Sequence, residues 1–75
     1  MTLYDGELEH TYTVKELCME QSIMIRLEAL GLIEGSRILF VNRKKTGALI
    51  IKVRGTRLAL GKKIAQGIEV EEEDK

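Results

Sequence analysis

The stretch Arg26-Leu-Glu-Ala-Leu-Gly-Leu-Ile-Glu-Gly-Ser36 decides how this chain is read. Met19, Ile23, Leu27 and Leu30 follow one another at steps of four, four and three, which places them along one face of a helix. Gly31 comes directly after the last of them, where a left-handed residue ends a helix and glycine adopts that conformation without steric cost. Leu32 is then placed to fold back onto the helical face, and Glu34-Gly35-Ser36 is a turn signal. Beyond it, Arg37-Ile-Leu-Phe-Val-Asn42 has strand composition. One short helix is therefore handed into β-structure through two glycines, and Leu27, Leu30, Gly31, Leu32, Gly35 and, further on, Gly55 are the expected structural residues.

Working outward toward the N-terminus, His10–Leu17 alternates Tyr12 and Val14 against Thr11, Thr13 and Lys15, the pattern of a first strand. Thr13-x-x-Glu16 also matches a capping box, which would start a helix at Val14. Glu20-Gln21-Ser22 would put polar residues across the stripe of such a helix, so the strand is preferred, with the helix starting near Glu20 and Ser22 as its cap.

Toward the C-terminus, Ile38 and Phe40 share one face of strand two while Leu39 and Val41 share the other. An apolar run of that kind predicts cover on both sides, with the helix supplying one. Arg43–Gly47 reads as a polar hairpin tip. Leu49, Ile51 and Val53 alternate with Ile50, Lys52 and Arg54 in strand three, and Gly55-Thr56 turns into Arg57–Leu60. Gly61–Gly67 suits a single helical turn, and Ile68–Val70 makes a last strand. The expectation is mainly β structure with one short helix inserted after the first strand: one domain over residues 1–70, a closed or nearly closed barrel, and a disordered acidic tail over 71–75.

Charge is balanced overall and uneven along the chain. Residues 1–35 hold seven acids against two bases, 36–66 hold nine bases and no acid, and 67–75 hold five acids against Lys75. A solvated outer sheet face would explain the bases on frequency alone; a patch that meets an acidic partner or a nucleic acid would explain their segregation. The candidate partner-binding residues are Arg37, Arg43, Lys44, Lys45, Lys52, Arg54 and Arg57.

Chemistry is thinly provided. One histidine and one cysteine leave few members for a nucleophile and base set, and the seven glycines fall singly at turns rather than in a phosphate-binding loop. His10 and Cys18, eight residues apart, form no recognised metal motif with Glu7, Glu9, Glu16 or Glu20. Cys18, Met19 and Met24 read as apolar filler and His10 as a surface residue. No cofactor and no enzymatic activity is expected. No apolar run approaches membrane-spanning length and the N-terminus lacks a leader pattern, so a cytoplasmic setting is expected.

Four pieces in order carry a family resemblance: Arg26-Leu-x-x-Leu-Gly-Leu-Ile-x-Gly-Ser36, Ile38-x-Phe-Val41, Ile51-x-Val-x-Gly-x-x-Leu-Ala-Leu60 and Ile64-Ala-x-x-Ile-x-Val70. Over residues 11–70 the chain resembles the ferrous-iron transport protein A (FeoA) family. It departs from the family pattern at Glu34, at Thr46–Leu49 and at Gly61. The resemblance implies a small SH3-like β-barrel and an accessory role beside FeoB, a membrane ferrous-iron transporter with a cytosolic GTP-binding domain. The same barrel forms the C-terminal domain of iron- and manganese-dependent repressors, which leaves a metal-responsive regulatory domain as an alternative. A nucleic-acid-binding barrel is the other, although Tyr4, Tyr12 and Phe40 are the only aromatics and none sits outward on a basic strand. Self-association through an exposed edge or helix face stays open as well.

Overall fold

A computed structural model describes residues 1–73. Its elements run as a 3₁₀ turn at Leu3–Asp5, β1 at Thr11–Leu17, α1 at Gln21–Ala29, β2 at Arg37–Arg43, β3 at Leu49–Val53, β4 at Thr56–Leu60, α2 at Lys62–Gln66 and β5 at Ile68–Glu72. The strands form one antiparallel sheet in the order β4-β3-β2-β1-β5.

Alternation within the strands builds the core. Tyr12 and Val14, Ile38 and Phe40, Leu49, Ile51 and Val53, Leu60, and Ile68 and Val70 all turn to one side. Leu3, Leu27, Leu32 and Ala65 close that side from the 3₁₀ turn and the helices. Among the described residues no polar or charged residue is buried. The buried side chains are apolar apart from the Tyr12 hydroxyl, which accepts from Glu7 N–H at 2.7 Å.

The α1-to-β2 passage forms as its residues dictate. Leu30 caps α1 and Gly31 takes φ +94°. Leu32 N–H donates to the Leu27 carbonyl and Gly31 N–H to that of Glu28, each at 2.9 Å, the paired bonds of a Schellman ending. The chain reversal sets Leu32 (0% exposed) beside Leu27 (6% exposed) in the core. Ser36 Oγ then donates to the Gly31 carbonyl and accepts from Ile33 N–H, bracing the turn.

Five expectations need correction. Leu30 is 49% exposed rather than core, because α1 starts only at Gln21 and Leu30 is the cap residue, with its burial role passed to Leu32. Ser22 is not the cap: Glu20 is, through its carbonyl, which accepts from Ile23 and Met24 at 3.0 Å, and no side chain bonds there. The second face of β2 is uncovered, with Leu39 exposed and Val41 half-exposed, since α1 packs over the inner side through Leu27. Cys18 is exposed rather than apolar filler, because it lies past the end of β1. The acidic tail is partly strand: Glu71 and Glu72 pair with Thr13 and Tyr12, and Glu73 N–H donates to the Thr11 carbonyl. The remainder of that expected tail, residues 74–75, lies outside the described residues.

The barrel remains open. β4 and β5 stand at opposite ends of the strand order, and no ladder joins them among the described residues. The outer edge of β5 is covered by the chain's own N-terminus, where Val70 N–H donates to the Met1 carbonyl at 2.8 Å and Thr2 bridges Glu69.

Candidate functional site

The bases of residues 37–57 lie on the surface, where they divide into two groups. The first is consumed within the fold. Arg37 grips Glu73, with Nη2 and Nε each 2.7 Å from a carboxylate oxygen, and that pairing holds its guanidinium above the usual arginine range. The Arg43 guanidinium lies 4.7 Å from the centroid of the Tyr4 ring and 5.2 Å from that of Phe40. It also donates to the Tyr4 carbonyl at 2.9 Å and the Gly6 carbonyl at 3.3 Å, clasping the N-terminal turn to β2.

The second group is free. Lys44, Lys45, Lys52, Arg54 and Arg57 are exposed, and none has an acidic partner among the described residues. Strand register sets Lys52 directly opposite Arg57 on the outer face of the sheet. Two like charges opposed across a ladder repel. Arg54 occupies the β3–β4 turn with φ +52°, next to Gly55 at +81°, and its stem covers Gly31 at the end of α1.

Between these cations runs a shallow groove of about 400 Å³, lined by Val41, Asn42, Lys44, Ile50, Arg57, Leu58 and Ala59. Its floor went unseen in the sequence. Val41 is the extra residue where the β2–β3 register shifts between Phe40 and Asn42, and such a bulge leaves no composition signal. Lys62 was also missed; its ammonium lies 5.4 Å from the centroid of the Tyr4 ring that Arg43 also contacts. The residue contacts that would have shown it are long-range.

The acidic side of the molecule is separate. A hollow of about 640 Å³ is lined by Leu8, Glu9, His10, Thr11, Arg37, Glu72 and Glu73. His10 meets Glu72 through Nδ1 and stands 3.6 Å from Glu7 through Nε2. Among the described residues, no group of three or more histidine, cysteine or acidic side chains is placed to hold a metal. Exposed as it is, the Cys18 thiol is pushed up by local desolvation first and then by the neighbouring Glu16 carboxylate, which disfavours the nucleophilic thiolate. The aromatics make no stacking platform, with Tyr12 and Phe40 buried and Tyr4 under Arg43 and Lys62. No helix among the described residues is long and apolar enough to cross a membrane.

Comparison with known proteins places this surface in context. The family model described as the FeoA domain matches residues 1–72. No curated protein matches the chain. Among solved structures, the FeoA protein of Chlorobium tepidum superposes with a TM-score of 0.91 at 23% identity, covering 96% of this chain and 70% of that one. The zinc-complexed FeoA of Stenotrophomonas maltophilia superposes with a TM-score of 0.80 at 28% identity, covering 95% of this chain and 89% of that one. It is described as a prokaryotic SH3-domain protein and a candidate activating factor of bacterial ferrous-iron transport. A manganese-dependent transcriptional repressor with manganese bound has the same fold over 36% of its length, with a TM-score of 0.89 at 21% identity, covering 97% of this chain.

Proposed function

We infer the function from one premise: the chain belongs to the FeoA family, small SH3-like domains implicated in ferrous-iron transport. We propose that it is a non-enzymatic cytosolic accessory protein that binds the cytosolic part of a FeoB-type transporter through the outer face of β2, β3 and β4. The observation that carries this reading is the Lys52–Arg57 pair, opposed across the β3–β4 ladder with no acidic neighbour among the described residues to relieve it. A like-charged pair costs stability where it stands. It is explained if an acidic partner surface neutralises it on binding.

Lys44, Lys45 and Arg54 extend the same field around the groove, whereas Arg37 and Arg43 support the fold and stand outside the proposed contact. The test is an NMR titration of the labelled chain with the cytosolic domain of a FeoB-type transporter. Shifts gathered on Lys44, Lys52 and Arg57 that fade with added salt are expected. Shifts gathered on α1, or none at all, would remove this surface from the interaction.

A further inference from the structure

The sheet has two edges and the chain treats them differently. It covers β5 with its own N-terminal residues and, among the described residues, leaves β4 bare. The Val53-Arg54-Gly55-Thr56 turn, with both central residues at positive φ, is the two-residue hairpin in which the closing pair exchanges hydrogen bonds. Counting on from Val53↔Thr56, the pairs Ile51↔Leu58 and Leu49↔Leu60 also exchange bonds. Arg57 and Ala59 therefore turn their N–H and C=O groups away from β3, and among the described residues nothing accepts or donates to them.

We propose that the β4 edge receives an extended acidic segment of a partner protein as a sixth strand, seated beside the groove floored by Val41, Ile50 and Ala59. This rests on the basic-face reading above and deepens it by naming how the partner is held. Main-chain bonds to Arg57 and Ala59 supply the pairing, and Lys44, Lys52 and Arg57 select acidic side chains alternating along the added strand. A second copy of this chain is a poor occupant, because pairing β4 with β4 would bring the basic Arg57 and Lys52 of each copy together. Residues 36–66 contain no acid that could soften that contact.

The probe is a synthetic peptide, acetyl-Glu-Val-Glu-Val-Glu-Val-Glu-amide, titrated into the ¹⁵N-labelled chain at low salt. The expected result is amide shifts at Arg57 and Ala59 with slowed hydrogen exchange at both, and no response to the lysine-for-glutamate peptide. Ala59→Pro removes one outward donor while leaving the β3–β4 ladder its bonds, and should weaken the peptide about tenfold or more. A peptide N-methylated along one edge makes the same test without altering the chain. Lys52→Glu with Arg57→Glu should also abolish binding. If the charge variant loses the peptide while Ala59→Pro and the methylated peptide bind normally, strand addition is overturned and the basic face survives. If no variant changes binding, or the peptide causes no shift, both are overturned.

Discussion

Gly67 lies directly under the Cys18 carbonyl: a Cβ at Gly67 would stand 2.6 Å from that oxygen, and the Gly67 carbonyl accepts from Cys18 N–H at 2.7 Å. The close approach joins the end of β1 to the start of β5, and it depends on the missing side chain rather than on positive φ, since Gly67 has φ −93°. Gly67→Ala should therefore cost about 1–3 kcal/mol, because neither partner backbone can move without breaking the pairing. Thermal melting would show it as a fall of several degrees. Gly61→Ser offers the contrast, since a Cβ there meets open space at the α2 N-cap, where serine is favoured over glycine. An unchanged melting temperature for Gly67→Ala would mean that the β1–β5 pairing yields easily.

At Gly31 two effects superpose and can be separated. Its φ of +94° disfavours any side chain, and a Cβ there would also lie 3.1 Å from Arg54 Cδ. Gly31→Val should cost more than about 1 kcal/mol through the left-handed strain on a β-branched residue. Adding Arg54→Ala relieves the crowding alone, so the double variant should regain only part of the loss. Full recovery would make crowding, and not φ, the reason for glycine.

Arg43 and its neighbour Lys44 should behave oppositely despite equal charge and adjacency. Arg43→Ala removes contacts with two aromatic rings and two carbonyls, so about 1–2 kcal/mol of stability should be lost. Lys44→Glu should leave the unfolding free energy within about 0.5 kcal/mol of the parent and act on partner binding. Equal stability in the two variants would put Arg43 back among the free cations.

The fold was readable where local rules and tertiary packing agree. Leu27, Gly31 and Leu32 declare the helix ending through spacing and a glycine, and the chain obeys. The alternation of Leu49, Ile51 and Val53 marks the inner face of β3 in the same way. Leu30 misled because its spacing suits a helix longer than the one that forms. The candidate surface was legible only as a charge run. That Arg37 belongs to Glu73 and Arg43 to Tyr4 follows from contacts 36 and 39 residues apart, which no local pattern encodes. The Lys52–Arg57 opposition could have been seen: a two-residue turn at Arg54-Gly55 fixes that pairing by counting.

Cys18 gives a pH prediction. Local desolvation and the Glu16 carboxylate both disfavour the thiolate, so less of the reactive form exists at a given pH than in a free cysteine. Alkylation at pH 8 should be slower than for the free amino acid, and the rate should climb at higher pH. Glu16→Gln removes the carboxylate's contribution and should move the rate profile toward lower pH without bringing it fully to that of free cysteine, since the local desolvation and the Glu69 charge persist. A profile centred below that of free cysteine would contradict this account of the thiol.

The sharpest prediction concerns Lys52 and Arg57. Opposed like charges destabilise a ladder, and an opposite-charge pair at the same register contributes roughly 0.2–1 kcal/mol. Lys52→Glu converts one into the other, because the glutamate faces Arg57 directly. Stability should rise by some tenths of a kcal/mol, seen as an upward shift of about 2–5 °C in a domain of this size. The same substitution should weaken capture of an acidic partner and flatten the salt dependence of what remains. A variant that is at once more stable and a poorer binder would show that the repulsion is kept for the interaction. If Lys52→Glu gains stability and binds as before, the pair is an incidental cost of the sheet, and the binding face must be sought elsewhere.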